Sequence, residues 1–353
     1  MIFLHRIRLF ILALTLYGCS NYPDPVRSVR VPDDDEPFEW LSEYNLFEEP
    51  LASLRPVDGV IPYDLNTPLF SDYAKKARFV FVPAGKVIEY QSAGVLDFPY
   101  GSILIKNFYY EQPGENNLLE TRLLIHYSTG WKGLAYVWNA THTDAKFTVG
   151  GADIQVARPD QPEGVFAYHV PNQNECKGCH SFNKTLNPIG PKAGNLNRVV
   201  DSNDGPVNQL DLWLASGIIS GLTSGNEAPV YPQWDDASAG SLESRARIYL
   251  DVNCGHCHRP EGPANNTGLH LNLEESDPSK TGFCKLPVSA GPGTGGRPYD
   301  IVPGDPDKSI LLYRMKSVDP ASRMPELGRE LPHGEGIELI RSWIQSLEPD
   351  ACD

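Results

Sequence analysis

Between Glu39 and Arg158 the apolar residues fall in short runs of β-branched and aromatic side chains, broken by turn formers every few positions. Ser102–Tyr110 (SILIKNFYY) and Thr121–Thr129 (TRLLIHYST) are two such runs. The Pro-Gly-Asn stretch between them predicts a hairpin with a long connection. Gly133–Ala140, Lys146–Val149 and Asp153–Val156 continue at short spacing, with Gly150-Gly151 as a turn. Short strands separated by turn signals predict a β-sandwich. Further along, the period changes. Val207–Ser216 reads as a helix behind the start signal Asn203-Asp204-Gly205-Pro206. Leu242, Ala246, Tyr249 and Leu250 fall at i, i+4, i+7 and i+8, the spacing of an amphipathic helix. Asp305-Pro306 is an N-cap followed by Pro at the first helical position, predicting a helix through Leu312 and Met315. Ile337, Ile340, Ile344 and Leu347 form one face of a final helix.

This pattern predicts an α+β chain in which an N-terminal β-rich, sandwich-like domain (38–216) is followed by an α-helical one (241–353). The Gly-, Ser- and Pro-rich stretch 217–240 is the expected linker. Residues 20–37 are rich in Pro and acids and lack an apolar period, so 19–37 is expected to be a solvated tether. Pro62–Tyr73 is dense in aromatic and polar groups, and is expected to pack on the sheet rather than to form a binding surface.

Composition narrows the chemistry. The chain has 353 residues, 41% hydrophobic and 21% charged, which is ordinary for a chain that forms a core. Its formal net charge of −15 makes the chain a poor candidate for nucleic acid, and either suits docking to a basic face on a partner protein or serves only solubility. At the N-terminus, His5, Arg6 and Arg8 precede an apolar run, Leu9–Leu16, too short to span a bilayer, and then Tyr17-Gly18-Cys19. Residues 1–18 therefore read as a lipoprotein signal peptide, with Cys19 the lipidated residue; a plain secretory signal is the alternative. Either exports the chain. The expected location is the periplasmic side of a bacterial membrane, the outer rather than the inner, reached through the lipid anchor.

Two five-residue stretches carry the main chemical signal: Cys176-Lys177-Gly178-Cys179-His180 and Cys254-Gly255-His256-Cys257-His258. Each reads C-x-x-C-H, the attachment signature of c-type haem, in which two thiols bond one porphyrin and the following His is the proximal iron ligand. A four-cysteine zinc site separates its pairs by about 15–20 residues, whereas Cys179 and Cys254 are about 75 apart. A thioredoxin-like pair needs a βαβ setting that the pattern lacks. Two covalently attached haem c groups are therefore expected, the first of them after Tyr168–Gln173, which reads as a polar loop rather than a helix. With Cys19 lipidated and four thiols on haem, Cys284 and Cys352 remain of the seven cysteines, and in an exported chain they are expected to pair.

A helix before C-x-x-C-H and another at the C-terminus follow the plan of a small helical cytochrome c domain, so the second haem is expected within 241–353. Of the three methionines, Met324 lies in a Pro/Gly loop before the last helix and is expected as sixth ligand of that iron, whereas Met315 fits a helix core beside Leu311 and Leu312. The first iron has no methionine left. His126, His142, His169 or water are its open alternatives. His256 faces the wrong way to ligate its own motif's iron, and His270 and His333 are expected at the surface or against haem propionates. The Gly-rich stretch 290–296 lacks the Lys-Ser/Thr of a phosphate loop and reads as a flexible loop. No Ser-His-Asp or metal–carboxylate constellation stands out.

Together these residues resemble a family of exported bacterial dihaem c-type cytochromes, largely uncharacterised. The likeness rests on PLFSDY (Pro68–Tyr73), the first C-x-G-C-H followed by Pro-Ile-Gly-Pro-Lys-Ala and Asn-Leu-Asn (Cys176–Asn197), and Asn208-Gln209-Leu210. It continues through NCGHCHRPxG (Asn253–Gly262), YDIVPGDPxKSIL (Tyr299–Leu311) and the Met-Pro-Glu-Leu-Gly loop. The resemblance implies two haems and a C-terminal cytochrome c domain but supplies no substrate. The expected function is electron transfer with an exported redox partner, a dehydrogenase or another cytochrome. The rivals are a peroxidase-like dihaem enzyme with an open first iron, and a β-domain binding module with accessory haems.

Overall fold

The computed structural model describes residues 28–349 except 34–35, 113, 115, 158–163, 203–204 and 289, together with Cys352. The expected signal peptide, Cys19 and the first part of the tether lie outside the described residues.

In chain order the first strands are β1 (Val60–Tyr63), β2 (Lys75–Phe81), β3 (Ile88–Glu89), β4 (Ile103–Tyr110) and β5 (Asn117–Tyr127). They are followed by β6 (Gly130–Trp138), β7 (Ala145–Thr148), β8 (Ala152–Ala157) and β9 (Val165–Val170). Six of them form one antiparallel sheet in the order β1-β2-β4-β5-β6-β7. Alternation along each strand sorts its two faces. One face presents Phe79, Ile103, Ile105, Leu123, Ile125, Leu134 and Tyr136 to Leu41, Tyr44, Leu46 and Phe47 from the preceding segment. Val29 and Val31 pack on the same core, so the described part of the tether is held to the sheet rather than solvated.

The other face is covered in two pieces. The two-stranded ribbon β8–β9 brings Val156, Tyr168 and Val170 onto Phe108, Leu119 and Ala135. Residues 193–228 bring Leu196, Leu210, Trp213 and Ile219 onto Val80 and Leu104. No second large sheet closes a sandwich among the described residues. The covering segment is instead organised by amide side chains: Asn195 exchanges hydrogen bonds with Thr67, and Gln209 bonds to Asp64 and Leu196. The expected linker 217–240 belongs to this packing. Strand β3 pairs in parallel with Ile219–Ser220, and Leu222 and Ala228 are buried.

Six α-helices complete the described chain: α1 (Gln173–His180), α2 (Ala193–Leu196), α3 (Gln209–Ala215), α4 (Leu242–Leu250), α5 (Ile310–Lys316) and α6 (Gly334–Ser346). Helix α3 starts later than expected, because Asn208 is its N-cap, accepting from the amides of Leu210 and Asp211, while Gly205–Asn208 is a strand. Among the described residues between 241 and 353, α4, α5 and α6 are α-helical, with a π turn after α4 and turns and short 3₁₀ segments elsewhere. The fold is therefore mixed α/β with a large antiparallel sheet and few helices. An α-helical cytochrome c domain is not supported, because the Pro and Gly residues between 260 and 335 interrupt helix formation. Helices α4 and α6 do pack together, through Tyr249, Leu250, Ile337, Ile340 and Ile344. Gly336 permits this contact, since a Cβ there would collide with the Tyr249 ring.

Cys284 and Cys352 form the expected disulfide, with Cα atoms 5.0 Å apart and a sequence separation of 68. Closing a loop of that length restricts the unfolded chain by about 2–4 kcal/mol. Replacing both cysteines by Ala is expected to lower the urea-unfolding free energy by about that amount. An unchanged midpoint would show that the crosslink constrains nothing.

Candidate functional site

The first motif lies on α1. Asn172 caps the helix, its side chain accepting from the amides of Asn174 (2.9 Å) and Glu175 (3.0 Å), while the Glu175 carboxylate accepts from the Asn172 amide (2.8 Å). This is a capping box, so the motif sits on a helix rather than in a polar loop. Strand β9 contains Tyr168–Val170, leaving Pro171-Asn172 as the connection. Cys176 and Cys179, three apart, share one helix face. Gly133 of β6 leaves room for Cys176: a Cβ there would sit 3.3 Å from the Cys176 Cβ. His180 ends the helix and donates from Nδ1 to the Asn187 carbonyl (2.8 Å), which fixes the proton on Nδ1 and leaves Nε2 with its lone pair. Burial pushes its pKa down to about 3, so the ring is neutral at physiological pH.

The second motif follows α4, whose N-cap is Ser241. The helix widens into a π turn over Asp251–Gly255, and Cys254 lies on that turn, 8% exposed. Burial lowers the His258 pKa to about 4, and Thr267 Oγ1 lies 3.4 Å from its Nδ1. Cys176, Cys179, Cys254 and Cys257 are not crosslinked. Among the described residues no three or more His, Cys, Asp or Glu side chains converge as a metal-ligand set. The four thiols therefore do not form a tetrahedral zinc site.

Separated in sequence, the motifs adjoin in space. The Asn183 amide donates to the Glu261 carbonyl (2.9 Å), and the Arg259 guanidinium lies 4.9 Å from the centre of the Phe182 ring. Lys192 and Asp251 form a buried ion pair, at 2.9 and 2.7 Å to the two carboxylate oxygens. One cavity of about 600 Å³ is lined by Cys176, Cys179 and His180 from the first motif and by Cys254 and His256 from the second. That volume lies within the range of cofactor pockets.

The sheet contributes a row of cations to this cavity. In register across β2, β4 and β5 stand Arg78, Lys106 and Arg122, and all three line the cavity. Like charges directly opposite each other disfavour a sheet unless anions offset them. Arg78 has Asp64 at 3.0 Å and Arg122 has Glu120 at 2.5 Å. Lys106, between them, is pushed down to about 7 by burial and then by the two arginines. The Nε of Arg78 is buried without a partner. An anionic group in the cavity would relieve both.

Met324 lines the same cavity, in the loop between α5 and α6. That loop touches the first motif: Leu327 lies 3.2 Å from where a Cβ on Gly178 would be. Its shape is held by Arg329, 4% exposed, which donates to the carbonyls of Met324, Arg314, Met315, Ser317 and Leu331. Met315 is buried in the core of α4, α5 and α6 and also reaches the cavity wall.

The histidines expected to cap the first iron are committed elsewhere. His126 bonds through Nδ1 to the Phe98 carbonyl (2.7 Å) and stacks on Trp131. His169 meets Asp153 at 2.8 Å and Glu175 at 3.0 Å, one carboxylate on each ring nitrogen. Burial works to lower its pKa, but the two carboxylates prevail and raise it. His142 sits in the turn between β6 and β7, outside the cavity lining. His270 pairs with Glu275 at 3.1 Å. His333 is not at the surface. It lines the cavity, stacks on Phe70 (centroids 4.1 Å apart) and bonds through Nδ1 to the Tyr249 hydroxyl (3.0 Å). The Gly-rich stretch contains a 3₁₀ turn, Gly291–Thr294, outside the cavity lining.

The Pro62–Tyr73 stretch, expected only to pack on the sheet, also lines the cavity through Tyr63, Leu65, Leu69, Phe70 and Ser71, and its last part packs on the second motif and the methionine loop. The Phe70 amide donates to Asn253, next to Cys254, and Asp72 accepts from the amides of Glu330 (2.8 Å) and Leu331 (2.7 Å). Burial raises the Asp72 carboxyl to about 6, against the lowering effect of those amides. The folded chain thus favours the protonated form, and the associated stability is complete at acid pH and lost as pH rises through about 6. Asp72→Asn, which keeps an acceptor for both amides, is expected to raise the melting temperature relative to the parent at about pH 7.5 and to lose that advantage near about pH 4. The same shift at both pH values would contradict this assignment.

No family model, curated protein or solved structure matches the chain.

The residues present fit a covalently bound haem. Both thiols and the neutral imidazole of the first motif line a partly open cavity, and an under-neutralised cationic row that suits a carboxylate-bearing porphyrin faces it; of the second motif, Cys254 and His256 line it, whereas Cys257 and His258 do not. Arg78, Lys106 and Arg122 went unnoticed in the sequence, although a charged residue inside an apolar strand (ILIKNFYY) is the signal that marks one.

Proposed function

We propose that this chain is a dihaem c-type cytochrome that transfers electrons on the periplasmic side of a bacterial membrane, anchored by a lipid on Cys19. One observation carries the reading: both C-x-x-C-H turns meet at a single cavity, with His180 neutral and oriented by the Asn187 carbonyl. Bound there, haem would supply one-electron chemistry at its iron. Cys176 and Cys179 would hold the first haem and Cys254 and Cys257 the second, with His180 and His258 as proximal ligands. Met324 would cap the second iron, and a thioether ligand raises the reduction potential.

The chain's own groups then have defined tasks. The Asn187 carbonyl holds the His180 ring in one tautomer. The cationic row would neutralise the carboxylates of the bound group, and the packed α4–α6 pair would support the turn that carries the second motif. Formal charge of −15 favours a partner with a basic face, an exported dehydrogenase or another cytochrome, and disfavours nucleic acid. A peroxidase-like enzyme with an open first iron is the second reading, favoured by the prior engagement of His126 and His169.

The test is haem content. Protein matured in a periplasm with c-type assembly machinery should carry two haems by pyridine haemochrome assay and by intact mass. Cys176→Ser with Cys179→Ser should leave one. Protein that folds without covalent haem would overturn the reading.

A further inference from the structure

We propose that His256, between the two cysteines of the second motif, is the distal ligand of the iron held by His180. The inference rests on the dihaem reading and adds a ligand crossing from one motif to the other. His256 sits on the turn that presents Cys254 and Cys257, so it cannot reach round to its own motif's iron. The fold gives it another direction. It stands on the cavity wall with Cys176, Cys179 and His180, within electrostatic reach of His180. The Asn183–Glu261 hydrogen bond holds the two motif turns against each other.

The ring is also short of partners. Its Nδ1 is buried with no hydrogen bond of good geometry, the Val252 carbonyl one turn back interacting with the ring only imperfectly, an arrangement that costs free energy while nothing binds the ring. Every other histidine on the cavity wall has a settled role: His169 is bonded on both nitrogens, His333 is stacked and bonded to Tyr249, and His180 is tied to Asn187. Among the described residues His256 is the imidazole left facing the first site.

The consequence is a built-in direction. Two imidazoles on the first iron and an imidazole with a thioether on the second make the first the lower in potential. With haem bound, an electron would pass from the ferrous first iron, which would be oxidised, to the ferric second, which would be reduced. Because His256 lies on the turn that presents Cys254 and Cys257, its ligation would also tie the second motif to the first site.

The test uses the full dihaem protein, with EPR and near-infrared magnetic circular dichroism of the oxidised form. The parent should show one bis-imidazole low-spin iron and one imidazole–thioether iron. His256→Ala should keep two haems per chain, lose the bis-imidazole signal and gain a high-spin iron, with added imidazole restoring the low-spin form. His256→Met, which retains a ligand, should replace that signal with a second thioether–iron band. Two haems with the bis-imidazole signal intact in either variant would overturn the ligand assignment alone, as would a parent with a high-spin iron. A parent without two haems would overturn the dihaem reading itself.

Discussion

Lys192→Met is expected to destabilise the folded chain by about 3–5 kcal/mol, because it leaves the Asp251 carboxylate buried without its countercharge. Both side chains are almost fully enclosed, and Lys192 reaches both carboxylate oxygens. Asp251 also accepts from the Leu273 amide at 3.0 Å. Lys192 follows the first motif and Asp251 precedes the second, so the pair fastens one to the other. Adding Asp251→Asn to Lys192→Met removes the stranded charge and keeps an acceptor for Leu273, so the double variant should regain most of the loss. Urea unfolding of the parent, both single variants and the double variant measures this cycle. A loss below about 1 kcal/mol for Lys192→Met would mean that water reaches Asp251 and the pair does not organise the junction.

Arg329→Lys should loosen the methionine loop. The planar guanidinium serves five carbonyls, with the Met324 carbonyl bonded to both Nε (3.2 Å) and Nη2 (2.8 Å). A lysine ammonium has three donors and no fork, so it cannot satisfy that set. The carbonyls left buried and unpaired should cost on the order of 3 kcal/mol. In the dihaem protein the near-infrared thioether–iron band should weaken in Arg329→Lys and vanish in Met324→Ala, while Met315→Leu should leave it intact. Persistence of the band in Met324→Ala would remove Met324 as a ligand. An unchanged band and midpoint in Arg329→Lys would show that the loop keeps its shape without the guanidinium.

Much of the architecture was legible along the chain because it follows local rules. The runs at Ser102–Tyr110, Thr121–Thr129 and Gly133–Ala140 became β4, β5 and β6, since runs of β-branched and aromatic side chains suit strands covered on both faces. The face Ala246, Tyr249 and Leu250 became the buried side of α4 for the corresponding helical reason. The disulfide followed from counting cysteines in a chain expected to be exported. Two local signals were misread. The Asn172–Glu175 capping box started a helix where a polar loop was expected, and Asn208 rather than Asn203–Pro206 started α3.

Residue types and short spacings are enough to establish paired thiols followed by a histidine, twice, and a methionine in a breaker-rich loop, because covalent attachment needs neighbours on one turn. They cannot report which distant groups share a cavity. The convergence of the two motifs, the Arg78–Lys106–Arg122 row, the Lys192–Asp251 pair and the five-carbonyl grip of Arg329 all depend on strand register or on contacts between residues far apart in the chain. His256 illustrates the difference. In the chain it is a spacer between two cysteines, and in the fold it is an imidazole on the wall of the other motif's cavity. Packing turned it there, since the direction of a side chain at a junction is set by everything that closes around it.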